Sequence, residues 1–320
     1  MKVLVCGTNY GATYIRALQF QNTGLMLSGI LSTGGLRSTQ YAQSFAVPHY
    51  TNVEQITDKQ VDIACVAIAG DAGIEITIAL LEKHIHVICE HPIGPTSMAQ
   101  ALAVAKANGV RFWVNAHFAD LYPIRSFYDS YFSAAAQGQC MHLDIAVNLR
   151  TLYSGLDLIC RLFTDEVDVT VAIQPKATPS AFASILLQRG EMSISLLCQN
   201  FASEFDDGSA TFINHRVSAI FNHGTLLLSD TYGPLTWLPS PITMSSKEWR
   251  SHYLLEQHAF TVNEIMTLRD KANLAVLEQL KAVIYGDSDC PHFQTPDYLI
   301  ALSKLWENVY LVLNGSNEAG

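Results

Sequence analysis

Over residues 1 to about 115, short apolar runs alternate with amphipathic ones, and few folds accommodate that alternation. "KVLVCG" is an apolar run closed by glycine, and "GATYIRALQFQ" follows it with helical spacing. "GLMLSGILS", "VDIACVAIAG", "HIHVICE" and "VRFWVN" repeat the strand signal. "DAGIEITIALLEKH" and "TSMAQALAVAKANG", which stops at Gly109, supply helices between them. Strands this apolar must be covered on both faces, which predicts βαβ units and a parallel sheet. Ligands meet such sheets beyond the carboxyl ends of the strands, here Gly7, Ser32, Gly70, Glu90 and Asn115.

From about residue 139 the period changes to two. "MHLDIAVNLR" sets Met141, Leu143, Ile145, Val147 and Leu149 on one face, with His142, Asp144, Asn148 and Arg150 on the other. "AFASILLQ-RG-EMSISLLCQN" and "VSAIF-NHG-TLLLSD" predict hairpins, and "FDDGSA" a turn. A helix is expected over about 252 to 285, and "PDYLIALSKLWENVYLVL" closes the ordered chain. The expected fold class is α/β, with two domains that pack directly and leave a cleft. An N-terminal Rossmann dinucleotide-binding domain covers 1–116, and a C-terminal α+β domain on a mostly antiparallel sheet covers 117–320.

Composition narrows the partners. The chain carries 19 Lys+Arg against 29 Asp+Glu, a formal net charge of −10, which argues against nucleic acid because phosphate contacts need a basic face. Its seven cysteines are odd in number, spread out and without a C-x-x-C pair, so free thiols in a reducing cytoplasm are expected rather than disulfides or a metal site. "MKVLVCG" enters a strand at once, and no apolar run reaches membrane-spanning length. A cytoplasmic protein without nucleic-acid or membrane partners is the expectation, and a homodimer stays open.

"VLVCGTNYGATY" holds Gly7 and Gly11 between strand and helix. The dinucleotide fingerprint is G-x-G-x-x-G; here Asn9 stands near the middle glycine and the last spacing is one residue short. Two glycines still allow a backbone to approach a pyrophosphate closely. The second strand ends "ILSTGGLRSTQ", with no Asp or Glu between Gly29 and Gln43 to hold a ribose 2′-hydroxyl. Ser32, Thr33, Arg37 and Ser38 suit a 2′-phosphate instead, so NADPH is the expected cofactor. Its expected contacts are Gly7, Thr8, Asn9, Tyr10, Gly11, Ser32, Thr33, Arg37, Ser38, Ala69, Glu90 and Asn115.

A glycine turn between strand and helix, Glu-x-Pro after "HIHVICE", and an antiparallel second domain together resemble the Gfo/Idh/MocA oxidoreductases. That family usually carries Glu-Lys-Pro, the lysine acting as proton relay, and a histidine on a later helix. Here His91 stands at the lysine position, and Ser154 lies three residues before Asp157 in "TLYSGLDLICRLF". Those departures are similar to one branch, the thiazolinyl imine reductases of siderophore assembly. The motifs "GTNYGATYIRAL", "GILSTGGLRS", "HVICEHPIGP", "FWVNAHFADLYPIR", "TLYSGLDLICRLF" and "HGTLLLSDTYGPLTW" carry the likeness from residue 3 to about 240. The resemblance implies NADPH-dependent reduction of a thiazoline C=N to a thiazolidine, on an intermediate tethered to a nonribosomal peptide synthetase carrier domain. Members of the branch tend to have a tyrosine where this chain has Phe118, preceded by His117.

Hydride added to the carbon of C=N leaves nitrogen in need of a proton. An imidazole, with an ordinary pKa near 6.5, suits that donation better than a lysine near 10.4. His91 is therefore the expected catalytic acid, with Tyr122, ahead of Pro123, as the second. Glu90 is expected to raise the pKa of His91 or to contact the nicotinamide ribose. Asn115 is expected at the carboxamide or ribose, or as a strand-end cap. His84 and His86 do not suit a metal, and none is expected. Two alternatives stand beside this reading: an NADP-dependent sugar or inositol-type dehydrogenase, and a non-catalytic NADP-sensing regulator.

Overall fold

The structure is a computed structural model that describes residues 1–115, 117–163, 167–173, 181–200, 211–240, 252–253 and 260–315. The chain divides into two compact units, Met1–Asp120 with Val262–Ile300, and Leu121–Thr261 with Ala301–Gly320.

In the first unit, β1 (Lys2–Cys6), β2 (Met26–Leu31), β3 (His49–Tyr50), β4 (Ile63–Val66), β5 (His86–Glu90) and β6 (Phe112–Asn115) form one parallel sheet. Its order is β3-β2-β1-β4-β5-β6, so the winding direction reverses between β1 and β4. Such a switch point opens a crevice at the carboxyl edge, where dinucleotides bind in this class of sheet. α1 (Ala12–Ala17), α2 (Leu36–Ser44), α3 (Asp71–Glu82) and α4 (Pro95–Ala107) connect the strands. α7 (Val262–Tyr285) completes the unit. Burial on both faces explains the apolar runs: Val3, Val5, Ile63 and Ile88 share a core with Tyr14 and Ile15 of α1 and Leu277 and Leu280 of α7. Arg16 anchors α7 to α1 through a bidentate pair with Asp270, at 2.8 and 3.0 Å. Cys6, Cys65 and Cys89 are buried free thiols on the strands, and burial pushes the Cys89 thiol up to about 12.

In the second unit, α5 (Tyr122–Ala135) and α6 (Leu152–Cys160) accompany an eight-stranded sheet. Its strands are β7 (Cys140–Asn148), β8 (Thr170–Ile173), β9 (Phe182–Arg189), β10 (Met192–Gln199), β11 (His215–Phe221), β12 (Gly224–Leu228), β13 (Leu235–Pro239) and β14 (His252–Tyr253). The order is β14-β13-β12-β11-β7-β10-β9-β8, and every pairing is antiparallel except β7 with β10. Both expected hairpins form, β9–β10 and β11–β12. α8 (Pro296–Gly315) ends the described chain. No helix among the described residues is long and apolar enough to cross a membrane.

Two expectations on secondary structure need correction. The helix expected from about 252 starts only at Val262, because His252 and Tyr253 satisfy their backbone against Trp237 and Thr236 in the sheet. β3 was not expected; two residues carry no readable period. The expected turn "FDDGSA" and residues 254–259 lie outside the described residues.

Candidate active site

β1 feeds directly into Gly7, which adopts φ +82°, a left-handed conformation that favours glycine. A Cβ there would stand 2.9 Å from the carbonyl oxygen of Ala67, and one on Gly11 would stand 2.1 Å from the oxygen of Gly7. No side chain fits either place. The turn is thus stripped to backbone where the sheet reverses its winding, the form a pyrophosphate requires. Within it Thr8 is buried, Asn9 exposed and Tyr10 half-buried; Ala69 is exposed after β4.

Glu90 and Asn115 end neighbouring strands and sit in register. Glu90 Oε1 accepts hydrogen bonds from the Tyr14 hydroxyl and from Asn115 Nδ2, the latter at 2.7 Å. Glu90 keeps some exposed area while its carboxyl is densely surrounded by protein. Burial pushes that carboxyl up to about 7, against the opposing pull of Tyr14, Asn115 and the charge of Arg269. Asn115 Nδ2 also donates to Asn273 Oδ1 at 2.7 Å, and Asn273 Nδ2 donates to the carbonyl of Arg269 at 2.9 Å. Asn115 is fully buried, and its Oδ1 has no partner among the described residues. An orphaned amide oxygen at the carboxyl edge of such a sheet fits a ligand that brings N–H donors. The glycine cradle and this acceptor together fit a nicotinamide dinucleotide.

His91 follows Glu90, and its bond to Pro92 is cis. Its Nδ1 lies 2.7 Å from the carbonyl oxygen of Asn115. A carbonyl only accepts, so Nδ1 carries the hydrogen and Nε2 is the nitrogen that gains or loses a proton. The ring meets Phe118 edge-on, with centroids 6.4 Å apart. Phe118 belongs to a 3₁₀ turn, His117–Asp120, and has no proton to give. Its neighbour His117 is buried and bonded through Nδ1 to the Tyr10 hydroxyl at 3.0 Å. Burial pushes that hydroxyl well up, with Glu90 adding to the effect and Arg269 opposing it. The Arg269 guanidinium lies 6.0 Å from the ring centres of both Tyr10 and Phe118. Tyr14, Arg269 and Asn273 were not expected here. The last two stand one helical turn apart on α7, a visible spacing that says nothing about which sheet edge it serves.

Beyond β2, Ser32 is half-buried, Ser38 buried, and Thr33 and Arg37 exposed. Ser32 and Ser38 hydrogen-bond each other at 2.7 Å, and Ser32 also meets His49 Nε2 at 2.8 Å. His49 is a further residue the sequence reading passed over.

In the second unit, Tyr122 opens α5 and is 63% exposed. Asp157 is buried, with its carboxylate 2.9 Å from Arg161, the residue that follows α6. Ser154 lies 2.8 Å from Nε2 of His215, a buried histidine whose Nδ1 is 3.0 Å from the Thr231 hydroxyl. Nothing local in the sequence pairs these three.

Comparison with known proteins bears on this geometry. Residues 1–116 match the oxidoreductase family with an NAD-binding Rossmann fold, Gfo/Idh/MocA. Residues 138–238 match the thiazolinyl imine reductase Irp3-like C-terminal domain. No curated protein matches the chain by sequence. Among solved structures, an oxidoreductase from Agrobacterium radiobacter in complex with NAD+, L-tartaric acid and magnesium superposes with a TM-score of 0.74 at 14% identity, over 98% of this chain and 96% of that one. GenD2 from gentamicin A biosynthesis, in complex with NAD, gives 0.73 at 14% identity, over 98% and 94%. KijD10, a 3-ketoreductase from Actinomadura kijaniata in complex with NADP, gives 0.69 at 13% identity, over 96% of each chain. At such identities the likeness is one of fold. The N-terminal part of the chain thus matches the Gfo/Idh/MocA Rossmann oxidoreductases and residues 138–238 the Irp3-like C-terminal domain, two matches that together support an NAD(P)-dependent oxidoreductase.

Proposed function

We propose that the protein uses NADPH to reduce a thiazoline C=N to a thiazolidine, on an intermediate held by a nonribosomal peptide synthetase carrier domain. The observation that carries this reading is the match of residues 138–238 to the Irp3-like domain. The anchored imidazole of His91, in the place where the wider family usually has lysine, supports it. When bound, the reduced nicotinamide supplies hydride. The Gly7–Gly11 turn would hold the pyrophosphate, and Asn115 Oδ1 would accept from the carboxamide. Reduction adds hydride at carbon and a proton at nitrogen; His91 gives that proton from Nε2 while Nδ1 keeps its own on the Asn115 carbonyl. Phe118 has no proton to give, and Tyr122 is the proposed second acid.

The direct test presents the purified protein with NADPH and a carrier-bound thiazoline thioester. The expected result is loss of NADPH absorbance and a product that has gained two hydrogens. Oxidation of sugars or inositols with NADP+, with no action on thiazolines, would sink the reading in favour of a dehydrogenase. Dinucleotide binding without turnover of either substrate class would point to a regulator.

Arg37 carries the expected charge for the 2′-phosphate. Arg37→Ala should weaken NADPH binding about tenfold, the worth of one solvated charge-assisted contact to phosphate, and leave NADH binding unchanged. Titration of both dinucleotides checks this, and an equal loss for the two would contradict the assignment.

A further inference from the structure

β3 is only His49–Tyr50, yet it brings His49 against the carboxyl end of β2. The hydrogen bonds gathered there share few protons, and counting the protons gives every bond a direction. The Gly35 carbonyl oxygen can only accept, so Ser38 donates its single hydroxyl proton to it at 2.7 Å. Ser38 Oγ therefore accepts, at 2.7 Å, the only proton Ser32 has. His49 Nε2, 2.8 Å from Ser32 Oγ, is left as the donor of that bond. The backbone N–H of Gly34 donates to the same oxygen at 3.2 Å. Both lone pairs of Ser32 are thus in use. The other ring nitrogen, Nδ1, lies 3.5 Å from the Thr39 hydroxyl.

From this arrangement we infer that His49 is a specificity-determining residue: by filling the remaining lone pair of Ser32, it makes that hydroxyl a hydrogen-bond donor only, which selects a 2′-phosphate over a 2′-hydroxyl. The inference rests on the NADPH reading and adds a residue to it. Ser32 can greet a ligand in one way, by turning its O–H from Ser38 to the newcomer. A phosphate oxygen takes that proton. A ribose 2′-hydroxyl also needs an acceptor for its own proton; Ser32 has none to spare, and no Asp or Glu between Gly29 and Gln43 supplies one. His49 acts through Ser32 and is a positioning residue.

The test measures equilibrium binding of NADPH and NADH to the full chain in four forms: unaltered, His49→Ala, His49→Gln and His49→Glu. His49→Ala frees that lone pair and should lower the NADPH-to-NADH affinity ratio about tenfold, the net worth of one such hydrogen bond, chiefly by tightening NADH. His49→Gln keeps an amide N–H that can donate to Ser32, and should retain most of the ratio. His49→Glu accepts the Ser32 proton, frees a lone pair, and should shift the ratio towards NADH. An unaltered protein that prefers NADH, or binds the two equally, overturns the NADPH reading beneath the inference. A preference for NADPH that survives unchanged in His49→Ala and His49→Glu overturns the role of His49 alone. Should His49→Ala lose both dinucleotides through misfolding, the Gln and Glu forms decide, and equal ratios in those two overturn the inference.

Discussion

Replacing His91 by alanine should lower turnover of a thiazoline substrate by about 10²- to 10⁴-fold, the usual worth of a positioned general acid. NADPH affinity should stay close to that of the unaltered protein. The Asn115 carbonyl fixes the ring by holding Nδ1 at 2.7 Å, which leaves Nε2 as the exchanging nitrogen. Alanine removes that proton without touching the glycine turn or the buried amide of Asn115. The loss should therefore fall on kcat and spare dinucleotide binding. His91→Lys restores the residue usual in the wider family but offers a weaker acid, near 10.4 in its ordinary state, so it should recover part of the rate only. Steady-state kinetics on a tethered thiazoline, with dinucleotide titration of the same samples, separates the two parameters. Turnover that survives in His91→Ala would remove His91 from the role.

What could be read in the sequence was what a local pattern must encode. A parallel sheet hidden on both faces needs near-continuous apolar strands, and "KVLVC", "IACV" and "HVICE" are such strands. Strand ends were legible for the same reason, so Gly7, Glu90, His91 and Asn115 could be named together before their distances were known. Their register could not: that Glu90 and Asn115 pair across β5 and β6 follows from tertiary alignment. Partners far along the chain left no trace. Tyr14 reaches Glu90 across 76 positions, and Asn273 reaches Asn115 across 158. The 2′ end shows the limit most sharply. Its hydroxyls were visible in "STGGLRST", but the direction of their protons depends on His49, on a strand too short to have a period.

The carboxyl of Glu90 should make the protein less stable as pH rises, and Glu90→Gln should abolish that dependence. Burial holds the folded-state value near 7, against an ordinary value of 4.5. Below about 4.5 the folded and unfolded chains both carry the proton, and Glu90 costs nothing extra. Between about 4.5 and 7 the unfolded chain releases its proton while the folded one keeps it, so the unfolded state binds fewer protons and stability falls. Above about 7 both are ionised and the deficit is constant. At about 1.4 kcal/mol per pKa unit, discounted because Glu90 keeps some exposed area, that deficit is on the order of 2 kcal/mol. Glutamine has no charge to bury, and its amide oxygen can accept from Tyr14 and Asn115 as Glu90 Oε1 does. The Gln form should therefore match the unaltered protein near pH 4.5 and exceed it by about 2 kcal/mol at pH 8, with the gap opening between the two. Urea unfolding at several pH values reads this directly. A gap independent of pH would show that the carboxyl does not titrate in that window. A gap of opposite sign would show that Arg269, Tyr14 and Asn115 together outweigh burial and hold Glu90 ionised in the folded chain.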